Sequence, residues 1–113
     1  MRRLVCSIAI VVFVISSLCV AESSHHSKYL MYVGTYTEEG SESKGIYAYR
    51  FDSGTGQITP LGLAAQSTNP SFLAIHPNRR FVYAVNEIGN YKGEKSGAVS
   101  AFSIDKKSGN LLC

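Results

Sequence analysis

The sequence is poor in cysteine, and this excludes a disulfide-stapled scaffold. The 113-residue chain contains three cysteines, Cys6, Cys19 and Cys113. The first two lie in an N-terminal segment that we expect to be removed, which leaves Cys113 alone. One cysteine cannot form an intramolecular disulfide framework.

A surplus of charge of one sign is also missing. Without Arg2 and Arg3, which belong to the same N-terminal segment, the chain has nine Lys or Arg residues against eight Asp or Glu residues. Nucleic-acid binding requires a clustered basic face. The sequence therefore predicts no nucleic-acid partner.

Motifs for cofactors and metals are absent as well. Gly54-Thr55-Gly56 joins two predicted strands, with no third glycine and no following helix, so it is not a dinucleotide loop. Asp52 lacks the alternating acidic ligands of a calcium loop. The adjacent His25 and His26 lie in a polar tail, and no ligand cluster accompanies them. No serine occupies a Gly-x-Ser-x-Gly elbow. We expect no metal and no cofactor.

The one long apolar run lies at the N-terminus. A basic start is followed by the apolar segment 4–20 and by small residues ending at Ala21, the order of a secretory signal. We predict a helical signal peptide over 1–21 with cleavage near Ala21, a flexible lead-in over 22–28, and export to the periplasm or the medium. The alternative is an uncleaved anchor, because the run is nearly long enough to span a bilayer. This segment would be the only membrane contact.

The rest of the chain has the pattern of short β-strands, and no window outside the signal has a helical period. Aromatic and β-branched residues are concentrated in these strands. Pro60 favours an edge position for its strand, since proline cannot donate to a ladder. The predicted strands are Tyr29–Tyr36, Gly45–Asp52, Gln57–Ala64, Ser71–His76, Phe81–Asn86, Ala98–Asp105 and a last one from Asn110 onward.

These strands form one unit repeated about 52 positions apart, close to the ~50-residue period of a propeller blade. Tyr32 corresponds to Tyr83, and the turn that begins at Asp52 corresponds to the turn that begins at Asp105. Both turns end in a glycine suited to the left-handed conformation. We predict an all-β fold, a partial β-propeller of under two four-stranded antiparallel blades over 29–113. Propellers usually have roughly 4–8 blades, so we expect this chain to be part of a longer protein.

The meander predicts two different ends for each blade. The turns Pro77–Arg79 and Lys106–Gly109 lie at one end, which we call the turn end. The connection Gln66–Pro70 and the loop Glu87–Ser96 lie at the other, which we call the loop end. Longer, irregular loops are the usual place for function. His76 lies at the turn end, where we expect it to hydrogen-bond within its turn.

The candidate site therefore lies at the loop end. Glu87 can act as a general base toward water, and the amide of Asn86 can orient an oxyanion. Asn69 and Ser71 lie beside them as candidate substrate-binding residues. The alternative is structural: Glu87 caps its loop, and the two asparagines satisfy backbone groups.

The chain resembles the seven-bladed propeller lactonases, which include the propeller-type 6-phosphogluconolactonases and the carboxy-cis,cis-muconate lactonising enzymes. The resemblance covers Lys28 to Leu112. It implies metal-independent hydrolysis of a sugar lactone, a small-molecule substrate. Of the family's site residues, Asn86 and Glu87 carry across, and Asn69 more loosely; the others belong to later blades. The resemblance rests on Tyr32–Thr37, Lys44–Tyr47, Asn69–Asn78, Val82–Glu87 and Gly97–Phe102.

Export bears on the substrate, because an exported protein would rarely meet the phosphorylated lactone of sugar metabolism. We therefore expect an unphosphorylated aldonolactone, and we expect the 113-residue piece alone to be inactive. The alternative function is an exported, non-catalytic propeller that binds a ligand, since propellers host many functions.

Overall fold

The structure is a computed structural model that describes residues 26–113, and this part of the chain is built from β-strands and their connections. The predicted signal peptide and most of the predicted lead-in lie outside the described residues. Residues 26–113 include no helix with the length and apolarity needed to cross a membrane. The strands are β1 (Lys28–Gly34), β2 (Gly45–Asp52), β3 (Ile58–Gln66), β4 (Pro70–Ile75), β5 (Phe81–Asn86), β6 (Ala98–Ile104) and β7 (Leu111–Leu112).

The strands form two antiparallel sheets, each an up-and-down meander. β1, β2 and β3 form the N-terminal sheet in that order, and β4 to β7 form the C-terminal sheet. This confirms the all-β prediction and the order of strands within each blade. β3 is the outer strand of its sheet, which agrees with the edge position indicated by Pro60.

The predicted bounds differ from the observed strands by two residues at most. Gly45–Asp52 and Phe81–Asn86 match. β1 begins at Lys28, which pairs with Asp52, so the last residue of the predicted lead-in belongs to the sheet. The His76 amide still bonds the Phe81 carbonyl of the neighbouring strand, but the His76 carbonyl accepts the Arg79 amide within the turn, so the strand ends at Ile75.

The two aspartate turns have the same structure. Asp52 Oδ1 accepts the Gly54 amide at 2.9 Å, and Asp105 Oδ1 accepts the Lys107 amide at 2.9 Å. The closing glycines, Gly56 and Gly109, have φ angles of 75° and 84°, in the left-handed region that glycine enters without steric cost. The repeat seen in the sequence is therefore a repeat of structure.

The core lies between the two sheets. Most of its side chains are small or branched, because the side chains of two packed sheets must interdigitate to exclude water. The buried apolar residues are Ile46, Ala48 and Ala64 of the N-terminal sheet and Val82, Ala84, Phe102 and Leu111 of the C-terminal sheet.

Direct polar contacts join the sheets at the turn end. The Tyr32 hydroxyl donates a 2.9 Å hydrogen bond to the Gly109 carbonyl. The Arg50 guanidinium donates a 2.8 Å bond to the Lys107 carbonyl. Burial, followed by the charge of Asp105, raises the pKa of Tyr32 above its usual 10.0. The β6–β7 turn is thus fixed against the neighbouring sheet.

One face of the C-terminal sheet is exposed. Matching the aspartate turns and the ladders of the two sheets aligns Ile46 with Val99. Ile46 is 0% exposed because the C-terminal sheet covers it, whereas Val99 is 69% exposed. Apolar residues lie on both faces of β6, with Val99 and Ala101 on one face and Phe102 and Ile104 on the other. The structure covers one of them in residues 26–113.

Candidate functional site

Glu87 follows β5 and reaches across the gap between the sheets at the loop end. Its Oε2 accepts a 2.6 Å hydrogen bond from the hydroxyl of Tyr36, which lies just beyond β1. The side chain of Ser71 of β4 lies close enough to this carboxylate to lower its pKa. All three side chains are exposed. The cluster therefore combines groups from both sheets and is open to solvent.

These contacts set the charge of the cluster. The bond from Tyr36, followed by the nearby hydroxyl of Ser71, lowers the pKa of Glu87 below its usual 4.5. The same bond and the negative charge of Glu87 raise the pKa of Tyr36 above its usual 10.0. At neutral pH the pair is a carboxylate and a neutral phenol. The carboxylate retains lone pairs that can accept from a water or a hydroxyl group.

Asn69 connects Glu87 to the N-terminal sheet through its backbone and its amide. Its carbonyl accepts the Glu87 amide at 2.9 Å, and its Nδ2 donates to the Glu87 carbonyl at 3.3 Å. Its Oδ1 accepts the Thr37 amide at 2.7 Å. The φ angle of Asn69 is 41°, a left-handed conformation that asparagine tolerates better than most residues. Asn69 therefore fixes the backbone on which Glu87 is carried.

Asn86 lies next to Glu87 but points away from it, into the protein. Its side chain is 5% exposed. Its Nδ2 donates to Ser67 Oγ at 2.8 Å and to the Thr68 carbonyl at 2.6 Å, and its Oδ1 accepts from Ser100 Oγ at 2.7 Å. Both amide atoms are occupied by protein groups. This geometry fits the structural alternative for Asn86 and does not present its amide to a ligand.

The structure thus brings Glu87, Ser71 and Asn69 together and buries Asn86 beneath them. Sequence reasoning missed Tyr36 and Thr37, the two partners from the N-terminal sheet. A usable signal was present, because the repeat aligns Tyr36 with Glu87 and equivalent positions of adjacent blades lie at the same end.

His76 lies at the turn end, as predicted. Its Nδ1 accepts the Asn78 amide at 3.2 Å, and its ring packs edge-on against Phe81. It is remote from Glu87 in the meander, since the turn end and the loop end are opposite ends of the strands. Within residues 26–113, no three His, Cys, Asp or Glu side chains are grouped closely enough to hold a metal ion.

Comparison with known proteins gives consistent results. Residues 30–113 match the family described as Lactonase, 7-bladed beta-propeller. The chain is 39% identical over 85 residues to a 6-phosphogluconolactonase of Bacillus subtilis, which covers 75% of this chain and 22% of that protein. It is 31% identical over 81 residues to a 6-phosphogluconolactonase of Formosa agariphila, which covers 72% of this chain and 22% of that protein.

A solved structure agrees with these matches. The periplasmic gluconolactonase of Pseudomonas aeruginosa superimposes with a TM-score of 0.64 at 40% sequence identity, which covers 76% of this chain and 23% of that one. The chain thus spans less than a quarter of the length of these relatives. Because the family match extends over most of the sequence and the sheets have the blade topology, the chain belongs to the seven-bladed β-propeller lactonase family.

Proposed function

We propose that the protein containing this chain hydrolyses a sugar lactone, and that residues 26–113 supply one wall of its site at the loop end. The observation that carries this proposal is the 39% identity to a 6-phosphogluconolactonase. The exposed carboxylate of Glu87 lies at the loop end of the two sheets. The substrate is a small molecule, and the chain itself supplies a carboxylate, a phenol and a hydroxyl group to bind it.

In the reaction, water adds to the lactone carbonyl carbon and the ring C–O ester bond breaks. One proton of the water must leave, and the ring oxygen must gain one. Glu87 accepts a hydrogen bond from the attacking water and orients its lone pair toward the carbonyl. The lowered pKa makes Glu87 a weak base, so it does not keep the proton that leaves the attacking water. That proton passes on to the ring oxygen or to solvent.

Asn86 and Asn69 have positioning roles in this proposal. Asn86 fixes the end of β5 through Thr68 and Ser100. Asn69 holds both backbone groups of Glu87. Ser71 and Tyr36 keep the carboxylate ionised and aimed. None of the four takes a proton from the substrate.

We further propose that the protein is exported and acts on an unphosphorylated aldonolactone. The N-terminal order of basic, apolar and small residues supports export. The Pseudomonas aeruginosa relative is itself described as periplasmic and as a gluconolactonase. An exported enzyme would meet the free sugar lactone more often than its phosphate.

The direct test uses the product of the complete reading frame that contains residues 1–113. Hydrolysis of D-glucono-δ-lactone and of its 6-phosphate is followed by acid release against the uncatalysed rate. We expect turnover of both, with the larger kcat/KM for the unphosphorylated lactone. A larger kcat/KM for the phosphate would contradict the substrate proposal. No turnover of either would contradict the lactonase proposal and favour a non-catalytic, ligand-binding propeller.

A further inference from the structure

A cleft of about 550 Å³ opens between the two sheets at the turn end. Four of its lining residues are cations: Lys28, Arg50, Arg79 and Lys106. Among residues 26–113, no acidic residue lines the cleft. The four cations come from four separate places, namely the start of β1, the middle of β2, the β4–β5 turn and the β6–β7 turn. The fold, rather than a run of basic sequence, brings them together.

The carboxylates at this end do not neutralise the four cations by contact. Asp52 uses Oδ1 to accept the Gly54 and Thr55 amides. Asp105 uses Oδ1 for the Lys107 amide and Oδ2 for the Ser108 hydroxyl. Across residues 26–113, the one ion pair within 4.0 Å joins Asp52 to His26. Asp52 attracts Lys28 across a longer distance, and four cations against the two carboxylates at this end leave a surplus of positive charge, which favours an anion in the cleft.

Two of the cations are held in place. Arg50 is anchored by its bond to the Lys107 carbonyl, which leaves other N–H donors of its guanidinium group for a ligand. Arg79 has a φ angle of 57°, a conformation that costs energy for a residue with a Cβ. Its amide bonds the His76 carbonyl at 2.8 Å. The turn therefore fixes the backbone of Arg79 at the lining of the cleft, whereas Arg50 is the cation whose side chain is preorganised to bind an anion.

The floor of the cleft is apolar and aromatic. Tyr29 and Tyr32 line it together with the side chains of Leu30, Ile75 and Ile104. Tyrosine faces pack against the C–H groups of a ring, and the cationic rim supplies charge-assisted hydrogen bonds. The combination fits an anion that carries an organic body better than it fits a bare ion.

We propose that this turn-end cleft binds a small phosphate monoester, with its phosphate among Lys28, Arg50, Arg79 and Lys106 and its organic part on Tyr29 and Tyr32. The site lies at the opposite end of the strands from Glu87 and is separate from the lactone site. It does not depend on the proposed function.

Glucose 6-phosphate, inorganic phosphate and glucose serve as probes, titrated into the full 113-residue chain in a mild detergent. Binding is followed by the amide signals of Tyr29, Arg79 and Lys106. We expect glucose 6-phosphate to bind more tightly than inorganic phosphate, and glucose to leave these signals unchanged. Binding should weaken as salt is added, because salt screens the cationic rim.

The chain offers two matched pairs of variants. Arg79→Gln and Lys106→Gln remove a charge from the cleft. Arg80→Gln and Lys107→Gln remove a charge from the same turns outside it, since the Arg80 guanidinium lies over the Phe81 ring at 5.8 Å. We expect the first pair to weaken glucose 6-phosphate binding by about three- to tenfold, the range of one charge-assisted hydrogen bond at a partly solvated site. The second pair should change it by less than about twofold.

Several outcomes would overturn the proposal. Absence of saturable glucose 6-phosphate binding would exclude the site, and equal losses in both pairs of variants would show diffuse attraction only. Equal affinity for inorganic phosphate would exclude a role for the tyrosine floor. If glucose shifted the same signals as strongly, the cationic rim would have no part in binding. Each variant is shown to be folded if its amide signals outside the substituted turn are unchanged.

Discussion

Tyr36 and Glu87 occupy equivalent positions in two successive repeats, and the hydroxyl of the first donates a 2.6 Å hydrogen bond to the carboxylate of the second. The bond crosses from one blade to the next at the loop end. It makes the charge of Glu87 depend on how the blades pack. The ionisation of Glu87 in one blade therefore depends on Tyr36 of the neighbouring blade.

The first prediction concerns this bond and pH. The pKa of Glu87 in the folded protein is lowered below 4.5, so activity that needs the carboxylate should be lost only as pH falls through that lower value. Tyr36→Phe removes the largest cause of the shift, so the acid limb of the kcat/KM profile for gluconolactone hydrolysis should move upward toward 4.5. Tyr91→Phe, in the β5–β6 loop, is the control and should leave the limb in place.

The phenol gives an independent check of the same bond. The pKa of Tyr36 lies above 10.0, first because of the hydrogen bond to Glu87. In Glu87→Gln the phenol should ionise closer to 10.0, as measured by the phenolate absorbance difference between this variant and the same variant carrying Tyr36→Phe. If Tyr36→Phe leaves the acid limb in place and Glu87→Gln leaves the pKa of the phenol unchanged, the hydrogen bond does not form.

The second prediction compares the two glycines that close the aspartate turns. Both have positive φ, so alanine at either should cost about 1–2 kcal/mol of unfolding free energy. At Gly56 a Cβ would meet open space, whereas at Gly109 it would lie 2.9 Å from Leu61 Cδ1. Leu61 is 38% exposed and the end of its side chain can move aside, so Gly109→Ala should cost at most about 1 kcal/mol more than Gly56→Ala. Urea unfolding of the chain measures both, and a much larger difference would show that Leu61 cannot move away from this turn.

The third prediction separates a positioning role from a catalytic role for Asn86. Asn86→Ala leaves partly buried hydrogen-bonding groups, the Thr68 carbonyl and the Ser100 hydroxyl, without their bonds to Asn86. The unfolding free energy should fall by about 2–4 kcal/mol, and Asn90→Ala in the exposed loop should cost less than about 0.5 kcal/mol. A tenfold loss of kcat in Asn86→Ala with no loss of stability would instead mean that its amide contacts the substrate.

The fourth prediction uses the exposed face of the C-terminal sheet. Val99 is 69% exposed and Phe72 is 67% exposed on this sheet, and contiguous exposed apolar surface promotes association. Val99→Lys should weaken self-association of the 113-residue chain by about tenfold, because burial of an unpaired lysine costs more than 1.4 kcal/mol. Sedimentation velocity measures this, with Asn90→Lys as the charge-matched control. Equal weakening by both variants would indicate a net-charge effect and not a contact through this face.

Much of the fold could be predicted from local chemistry. The aspartate and glycine of each turn determine the hairpin, so the strands on either side follow with correct order. Strand bounds differ by a residue or two where a backbone group has its partner in a turn, as the His76 carbonyl has in the Arg79 amide. Local hydrogen bonds of this kind have weak sequence signals.

The site was less predictable because it depends on packing between sheets. The sequence indicated that Glu87 and Asn86 lie at the loop end. It could not show that Asn86 points inward, since both faces of β5 are apolar and alternation gives no direction. The contact of Tyr36 with Glu87 and the bond of Arg50 to Lys107 both cross between blades, so no single repeat encodes them.

The measurement that tests the account most directly is gluconolactone hydrolysis by Glu87→Gln in the product of the complete reading frame. Loss of the carboxylate that holds the attacking water should lower kcat by about 10²–10⁴-fold. Glu94→Gln, in the same loop, should leave kcat within about twofold. Full activity in Glu87→Gln, with the fold intact by circular dichroism, would contradict the placement of the lactone site at this carboxylate.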